Sequence, residues 1–233
     1  MRVAALCDVH GNLAALEAVL AEVEAEGVDA IVFGGDLAAG PQPAETLARI
    51  EVLGDGAICV RGNGDREPGD WVSERLSEAE RRFLATLPDV QRLDVDGIGP
   101  TLFCHGSPRS DTEILTVVTT DERLREILAG VSERLVVCGH THHQFDRVVD
   151  GVRVVNAGAV GMAYEGRPGA YWALLGPDVE LRRTEYDYEA VAEAFRTSGF
   201  PDGGEHARTL FEEPPSALEV ARHFERLALE AVS

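Results

Sequence analysis

An α/β fold is what this chain predicts: two packed mixed β-sheets flanked by helices, a four-layer αββα sandwich. Three observations predict it. Short apolar runs alternate with helix-period segments through the first half, as βαβ units do. Apolar runs joined by tight turns dominate the second half, as hairpins do. Several of these runs stop abruptly at Asp, His or Asn, at the strand ends where α/β proteins collect their sites. With 233 residues, one large domain can bury a substantial core.

The elements follow in order. Arg2 to Cys7 is a strand closed by Asp8-Val9-His10-Gly11-Asn12. Leu13, Leu16, Val19, Leu20 and Val23 recur at helical period as far as Gly27. Ala30 to Phe33 is a second strand, ending in Gly34-Gly35-Asp36-Leu37, and Pro43 to Leu53 a second helix. Gly56 to Val60 is a third strand, ending in Arg61-Gly62-Asn63-Gly64-Asp65-Arg66. Residues 67–90 read as helical, with a helix start at Ser77-Glu78-Ala79-Glu80. Gln91 to Val95 and Thr101 to Cys104 form a hairpin whose second arm runs into His105-Gly106. After a helix over 121–130 comes the stretch Leu135 to His143, an apolar strand followed by Gly139-His140-Thr141-His142-His143. Phe145 to Val149 and Val152 to Val155, joined by Asp150-Gly151, make a second hairpin. Asn156-Ala157-Gly158 opens a glycine-rich loop, then Gly169 to Leu175 and Val179 to Tyr186 are strands. Helices are expected over 187–198 and 216–231, with an irregular loop around Pro201-Asp202-Gly203-Gly204. Val191, Ala194 and Phe195, then Leu218, Ala221, Phe224 and Leu227, give these helices apolar faces for core packing. The domain reading is residues 1–186 as the body carrying the site, with 187–233 as helices packed on it.

Composition narrows the function. The chain is 45% hydrophobic and 27% charged, with 41 acids against 21 bases and a formal charge of −20. That balance, and the lack of a basic path interleaved with aromatics, argues against a nuclease or any broad nucleic-acid face. A small anionic substrate stays compatible if metal cations dominate the local field. No apolar run reaches membrane length, and the N-terminus shows no signal-peptide pattern, so a cytoplasmic protein is expected. Cys7, Cys59, Cys104 and Cys138 fit no CxxC pattern and read as small buried hydrophobes in a reducing compartment. Monomer and homo-oligomer both stay open.

The polar strand ends collect Asp8, His10, Asp36, Asn63, His105, His140 and His142. Four of the seven histidines in the chain lie in this set, and co-occurrence lifts each residue above the turn or cap role it would have alone. Two imidazoles with i, i+2 spacing, as at His140 and His142, serve two neighbouring ions if the turn is extended. Seven nitrogen and oxygen ligands suit two divalent transition metals sharing a carboxylate, and the absence of thiolates argues against a structural zinc cage. Such a pair supports in-line displacement at phosphorus.

Taken in order, Asp-x-His, Gly-Asp, Gly-Asn-x-Asp, His-Gly and Gly-His-x-His resemble the calcineurin-like metallophosphoesterase superfamily over roughly residues 1–175. The strings Asp8-Val9-His10-Gly11-Asn12-Leu13-Ala14-Ala15-Leu16 and Gly35-Asp36 through Gly40-Pro41 are similar to those of its small bacterial phosphodiesterases, with symmetrical dinucleoside tetraphosphate hydrolases nearby. The resemblance implies a sandwich with Asp8, His10 and His142 on one metal, Asn63, His105 and His140 on the other, and Asp36 bridging. It implies manganese as the working metal, with Fe, Zn, Co or Ni admissible, and a bridging hydroxide as nucleophile. Phosphodiester or phosphoanhydride substrates of nucleotide type are expected. Where many members carry a leaving-group histidine, this chain has Gly64, which cannot donate a side-chain proton. Asp65 or His143 is the expected substitute. Asn12 and Arg66 are candidate phosphate contacts, with Arg109 and Tyr164 behind them. A non-catalytic metal-binding recognition protein is the second expectation, with Gly64 its support.

Overall fold

The computed structural model describes residues 1–230. In chain order its elements are β1 Val3–Leu6, α1 Leu13–Glu26, β2 Ala30–Phe33, α2 Pro43–Glu51, β3 Ala57–Cys59, α3 Asn63–Arg66, α4 Asp70–Ser73, α5 Glu78–Thr86, β4 Val90–Val95 and β5 Gly99–Cys104. Then come α6 Asp121–Ile127, β6 Leu135–Cys138, β7 Phe145–Val149, β8 Val152–Asn156, β9 Ala170–Leu175, β10 Val179–Thr184, α7 Tyr188–Thr197, α8 Gly203–Ala207 and α9 Ala217–Glu230. Two five-stranded sheets run in the orders β10-β9-β1-β2-β3 and β4-β5-β6-β8-β7. β1, β2 and β3 are parallel, as are β5, β6 and β8. The hairpins add the antiparallel strands β9 and β10 to the first sheet and β4 and β7 to the second.

Strand alternation makes the four layers. Val3, Ala5 and Cys7 point inward and meet Phe103, Leu135, Val137 and Val155 of the other sheet. Ala4 and Leu6, between them, point outward and meet Leu16, Val19 and Val23 of α1 and Leu47 and Ile50 of α2. On the far side Leu102, Val136 and Val154 lie beneath Leu124 and Ile127 of α6. Strands covered on both faces read as unbroken apolar runs, which is why Val3–Leu6 and Leu135–Cys138 lack a polar side. Each fully buried Leu, Val or Phe contributes roughly 1.5–3 kcal/mol, so both faces of these sheets are heavily stabilised.

Three elements depart from expectation. The 67–90 helix is two pieces. Pro68-Gly69 precedes α4, and Ser77 restarts the chain as α5 with a capping box, its hydroxyl accepting from Glu80 N–H (3.2 Å). The helix over 121–130 stops at Ile127, short of Gly130 at φ 87°. The 201–204 loop leads into α8 and a single π turn at Arg208–Glu212. Packing explains that order: Ala207 and Leu210 are buried against Met162, Val191 and Phe195. In α9 the buried residues are Val220, Ala221 and Ala228, while Leu218 and Leu227 are 45% and 41% exposed. The expected inward stripe is therefore displaced around the helix. Residues 231–233, within the expected C-terminal segment, lie outside the described residues. Among the described residues no helix is long and apolar enough to cross a membrane.

Candidate metal centre

Five strands deliver the seven candidate ligands to one edge. Asp8 and His10 follow β1, Asp36 follows β2, Asn63 follows β3, His105 follows β5, and His140 and His142 follow β6. The turns that carry them are sharply bent. Asp8, His10, Asp36, His140 and His142 all have positive φ, between 48° and 67°. The extended turn expected at His140-Thr141-His142 is therefore corrected to a kinked one. Left-handed backbone at a non-glycine residue costs on the order of 1–3 kcal/mol and persists only where surroundings enforce it. Here loops bond to loops: Asp8 N–H to Gly35 O (3.0 Å), His10 N–H to Asp36 O (2.9 Å), Gly161 N–H to Asp8 O (2.9 Å), and Tyr164 N–H to His142 O (2.9 Å). The glycines permit this closeness. A Cβ on Gly139 would collide with the Asp8 carboxylate, and one on Gly62 with that of Asp36.

Three imidazoles are held alike. Nδ1 of His10 donates to the Ala39 carbonyl (2.9 Å), Nδ1 of His142 to Met162 (2.7 Å), and Nδ1 of His105 to Gly34 (2.8 Å). A carbonyl only accepts, so Nδ1 carries the proton and each neutral ring turns the lone pair of Nε2 into the site. His10 Nε2 and His142 Nε2 are 3.1 Å apart. His105 Nε2 lies 3.2 Å from Asn63 Oδ1 and 3.5 Å from Asp36 Oδ2. Acceptors so crowded repel one another unless a cation or proton stands between them. Asp8 Oδ1 is buried without a hydrogen-bond partner, 3.3 Å from His142 Nε2, 3.8 Å from His10 Nε2 and 3.9 Å from His105 Nε2. An orphaned buried carboxylate oxygen facing imidazole lone pairs fits a divalent metal.

Two groupings emerge. The ligand atoms of Asp8, His10 and His142 lie within 4.8 Å of one another, as do those of Asp8, Asp36 and His105. Asp36 Oδ2 is also 3.7 Å from His10 Nε2, so both carboxylates reach both groups. His140 sits beside the second group, its ring edge-on to His105 with centroids 5.1 Å apart and its N–H donating to Asp8 Oδ2 (2.9 Å).

The electrostatics follow from burial and crowding. Burial lowers the pKa of His10, helped by His142, and that of His140 to about 4, helped by His105; neutral imidazole is the metal-binding form. Burial also opposes protonation of His105, yet Asp36 and Asp8 outweigh it and raise its pKa to about 10. Burial opposes the Asp8 and Asp36 charges, but the imidazoles hold both carboxyls below the usual range, His142 leading for Asp8 and His105 for Asp36.

Three expected substrate or proton-transfer residues have other duties. Asn12 is fully buried. Its Oδ1 caps α1 at Ala15 N–H (3.1 Å), and its Nδ2 donates to Gly161 O (3.1 Å). Asp65 accepts backbone N–H from Asp36 (2.7 Å), Leu37 (2.8 Å) and Gly62 (3.0 Å), pinning the β2 and β3 turns together. Burial and the Asp36 charge push its pKa up to about 7. His143, the other expected proton donor, is wholly buried: Nδ1 meets Thr141 O (2.9 Å), the ring tilts against Phe145, and burial lowers its pKa. The kinked turn sends it inward, away from a substrate. Arg66 is 40% exposed, paired to Asp111 (2.8 Å) and Glu67 (3.3 Å). Arg109 pairs with Glu113. Tyr164 stacks on His142, with centroids 5.1 Å apart and planes at 21°.

The supports of the ligand turns are not themselves ligands. Asn156 Nδ2 donates to Gly139 O (2.6 Å) and Thr141 Oγ1 (3.0 Å), and the Thr141 hydroxyl donates to Leu115 O (2.9 Å). These bonds brace the turn between His140 and His142. A polar Asn closing the apolar strand β8 was the available signal. The carbonyls of Ala39, Gly34 and Met162 offered none, since every residue has one. All four cysteines are free, and three of them are buried.

Comparison with known proteins agrees with this architecture. A family model for the calcineurin-like phosphoesterase superfamily domain matches residues 1–176. An uncharacterized protein of Methanocaldococcus jannaschii is 24% identical over 235 residues, covering 86% of this chain and 94% of that protein. The crystal structure of a metallophosphoesterase from Sphaerobacter thermophilus superposes with a TM-score of 0.72 at 28% identity, over 90% of this chain and 98% of that one. A hypothetical protein from Pyrococcus horikoshii gives 0.79 at 21% identity, over 93% and 99%.

Proposed function

Because this chain belongs to the calcineurin-like phosphoesterase superfamily, we propose that it is a di-metal hydrolase of phosphodiester or phosphoanhydride bonds in small, nucleotide-type substrates. One observation carries the metal site: His10, His142 and His105 each commit Nδ1 to a backbone carbonyl and aim Nε2 at the carboxylates of Asp8 and Asp36, one of whose oxygens has no other partner. Asp8, His10 and His142 would hold one ion. Asn63, His105 and His140 would hold the other, with Asp36 shared. When bound, two divalent cations, Mn²⁺ foremost with Fe, Zn, Co or Ni admissible, activate water and neutralise phosphoryl charge. The protein supplies the rest. Backbone bonds keep the imidazoles oriented, Asp65 fixes the β2 and β3 turns, and Arg66, exposed and one turn on from Asn63 in α3, can meet a phosphate oxygen by exchanging its pairs with Asp111 and Glu67. The charge of −20 favours a small substrate over a polyanion. Four free cysteines suit a cytoplasmic setting.

Gly64 offers only its backbone N–H, which donates to Asp36 Oδ1 (2.7 Å). With no side-chain acid there, good leaving groups are favoured over simple alkoxides. The test is hydrolysis of bis-nitrophenyl phosphate by metal-stripped protein titrated with Mn²⁺, beside an Asp36→Asn variant. Metal-dependent turnover should fall by more than about a hundredfold in the variant, beyond the usual effect of losing an outer partner. A dialkyl ester should be hydrolysed far more slowly than the nitrophenyl ester. Gly64 also favours a second reading, non-catalytic recognition of a phosphorylated ligand. Two ions bound with no turnover on any ester or dinucleoside polyphosphate would establish it over the first.

A further inference from the structure

The helices beyond residue 186 build a cavity beside the metal centre. Its volume is about 440 Å³, and it is lined by Tyr164, Thr209, Pro215, Val220, His223 and Phe224, with acidic Glu219 among them. All of these except Tyr164 lie outside the residues 1–176 that the family model matches. Tyr164 links the two places. The ring that lines the cavity is stacked on His142, whose Nε2 is 3.3 Å from Asp8 Oδ1. The cavity and the candidate ligand His142 therefore share Tyr164 as a neighbour.

The roof over this cavity is anchored. Glu225 of α9 accepts from the Thr116 hydroxyl (2.9 Å) and from Thr119, and pairs with Arg123 (2.9 Å). Ser216 begins the helix, with its hydroxyl donating to Glu219 (2.6 Å). The lining is largely apolar with polar groups in it: His223 is exposed, its Nδ1 accepting from Arg226 (3.1 Å), so Nε2–H is available as a donor. Thr209 adds a half-buried hydroxyl. Two aromatic rings, two aliphatic walls and a donor at the mouth suit a flat ring with polar edges better than an alkyl chain.

We propose that this cavity is the subsite for an aromatic group, of the kind a nucleobase presents, carried on a phosphorylated substrate whose phosphoryl group lies at the metal centre. The proposal rests on the function proposed above, and it adds the place in the fold, outside the matched family domain, that would select the substrate's aromatic group.

Equilibrium binding separates the two. Phenylphosphonate and methylphosphonate share a head group and differ only in what the cavity would hold. Isothermal titration of the full chain, loaded with Mn²⁺, should show phenylphosphonate tighter by on the order of tenfold, the scale of one stacked ring. Phe224→Ala should remove most of that preference. Thr209→Trp, which fills the cavity without shortening α9, should remove it independently. Equal affinities in the unaltered chain, or a preference that survives both variants, would overturn the subsite. Discrimination without hydrolysis of nitrophenyl diesters would keep the subsite and overturn the catalytic function. Failure to bind either phosphonate would overturn both.

Discussion

The strand-end cluster and the C-terminal helices are built on opposite principles. The cluster holds five side chains on left-handed backbone, crowds acceptors to 3.1 Å and leaves a carboxylate oxygen without a partner. Each of these features opposes folding and suits a cation. The two long C-terminal helices obey ordinary rules: α7 buries Val191, Ala192 and Phe195 and begins at the Asp187 cap, and α9 begins at a Ser216–Glu219 pair. Among the described residues, local cost is concentrated in the first region, with five non-glycine residues on left-handed backbone against the single Asp202 (φ 54°) and one π turn at Arg208–Glu212 in the second, and that concentration marks where function constrains the chain.

If the contrast is real, metal should stabilise the first region and leave the second indifferent. At an Mn²⁺ concentration of 100 Kd the unfolding free energy should rise by about 2.7 kcal/mol, seen as a higher Tm. His142→Ala should abolish most of that rise. A full rise in the variant would place the ion elsewhere. Asn156→Ala should come next. It unbraces the His140–His142 turn without touching an ion, and metal affinity should weaken by roughly 10–100-fold, read by competition with a chelator. Unchanged affinity would show that the kinked turn needs no brace. Ser216→Ala should do least, costing about 0.5–2 kcal/mol through the lost cap and leaving the metal-induced rise in Tm intact. A loss of that rise would mean the helices and the cluster are not separable.

The two regions also differed in how far they could be read beforehand. The cluster was legible because chemistry demands particular residues: Asp8, His10, Asp36, His105 and His142 announce themselves by type and by following apolar strands. Their supports were not, since a backbone carbonyl such as Met162 carries no sequence mark. Direction was also hidden. Asn12 and His143 are polar residues beside ligands, and only the fold shows that one caps a helix and the other points into the core. The helices were legible by period, and the facing of α7 with them, since Val191 and Phe195 are buried as expected; the facing of α9 was legible only at Ala221. Leu218 and Leu227 are exposed while Val220 and Ala228 join the expected Ala221 inward, because packing against neighbours, rather than side-chain size, chose the stripe. Gly203–Ala207 reads as loop by composition and is helical only because tertiary contacts hold it.

One consequence concerns the ligands' division between the sheets. Asp8, His10, Asp36 and Asn63 belong to turns of the first sheet, and His105, His140 and His142 to turns of the second. The cluster therefore acts as a vernier across the sandwich. Any sliding of one sheet over the other is read at the ligand atoms, where a few tenths of an ångström decide coordination. The inter-sheet layer of Val3, Ala5, Phe103 and Val137 then works as the spacer of a measuring instrument as well as a source of stability. Its side-chain volumes are tied to the chemistry at an edge they never touch.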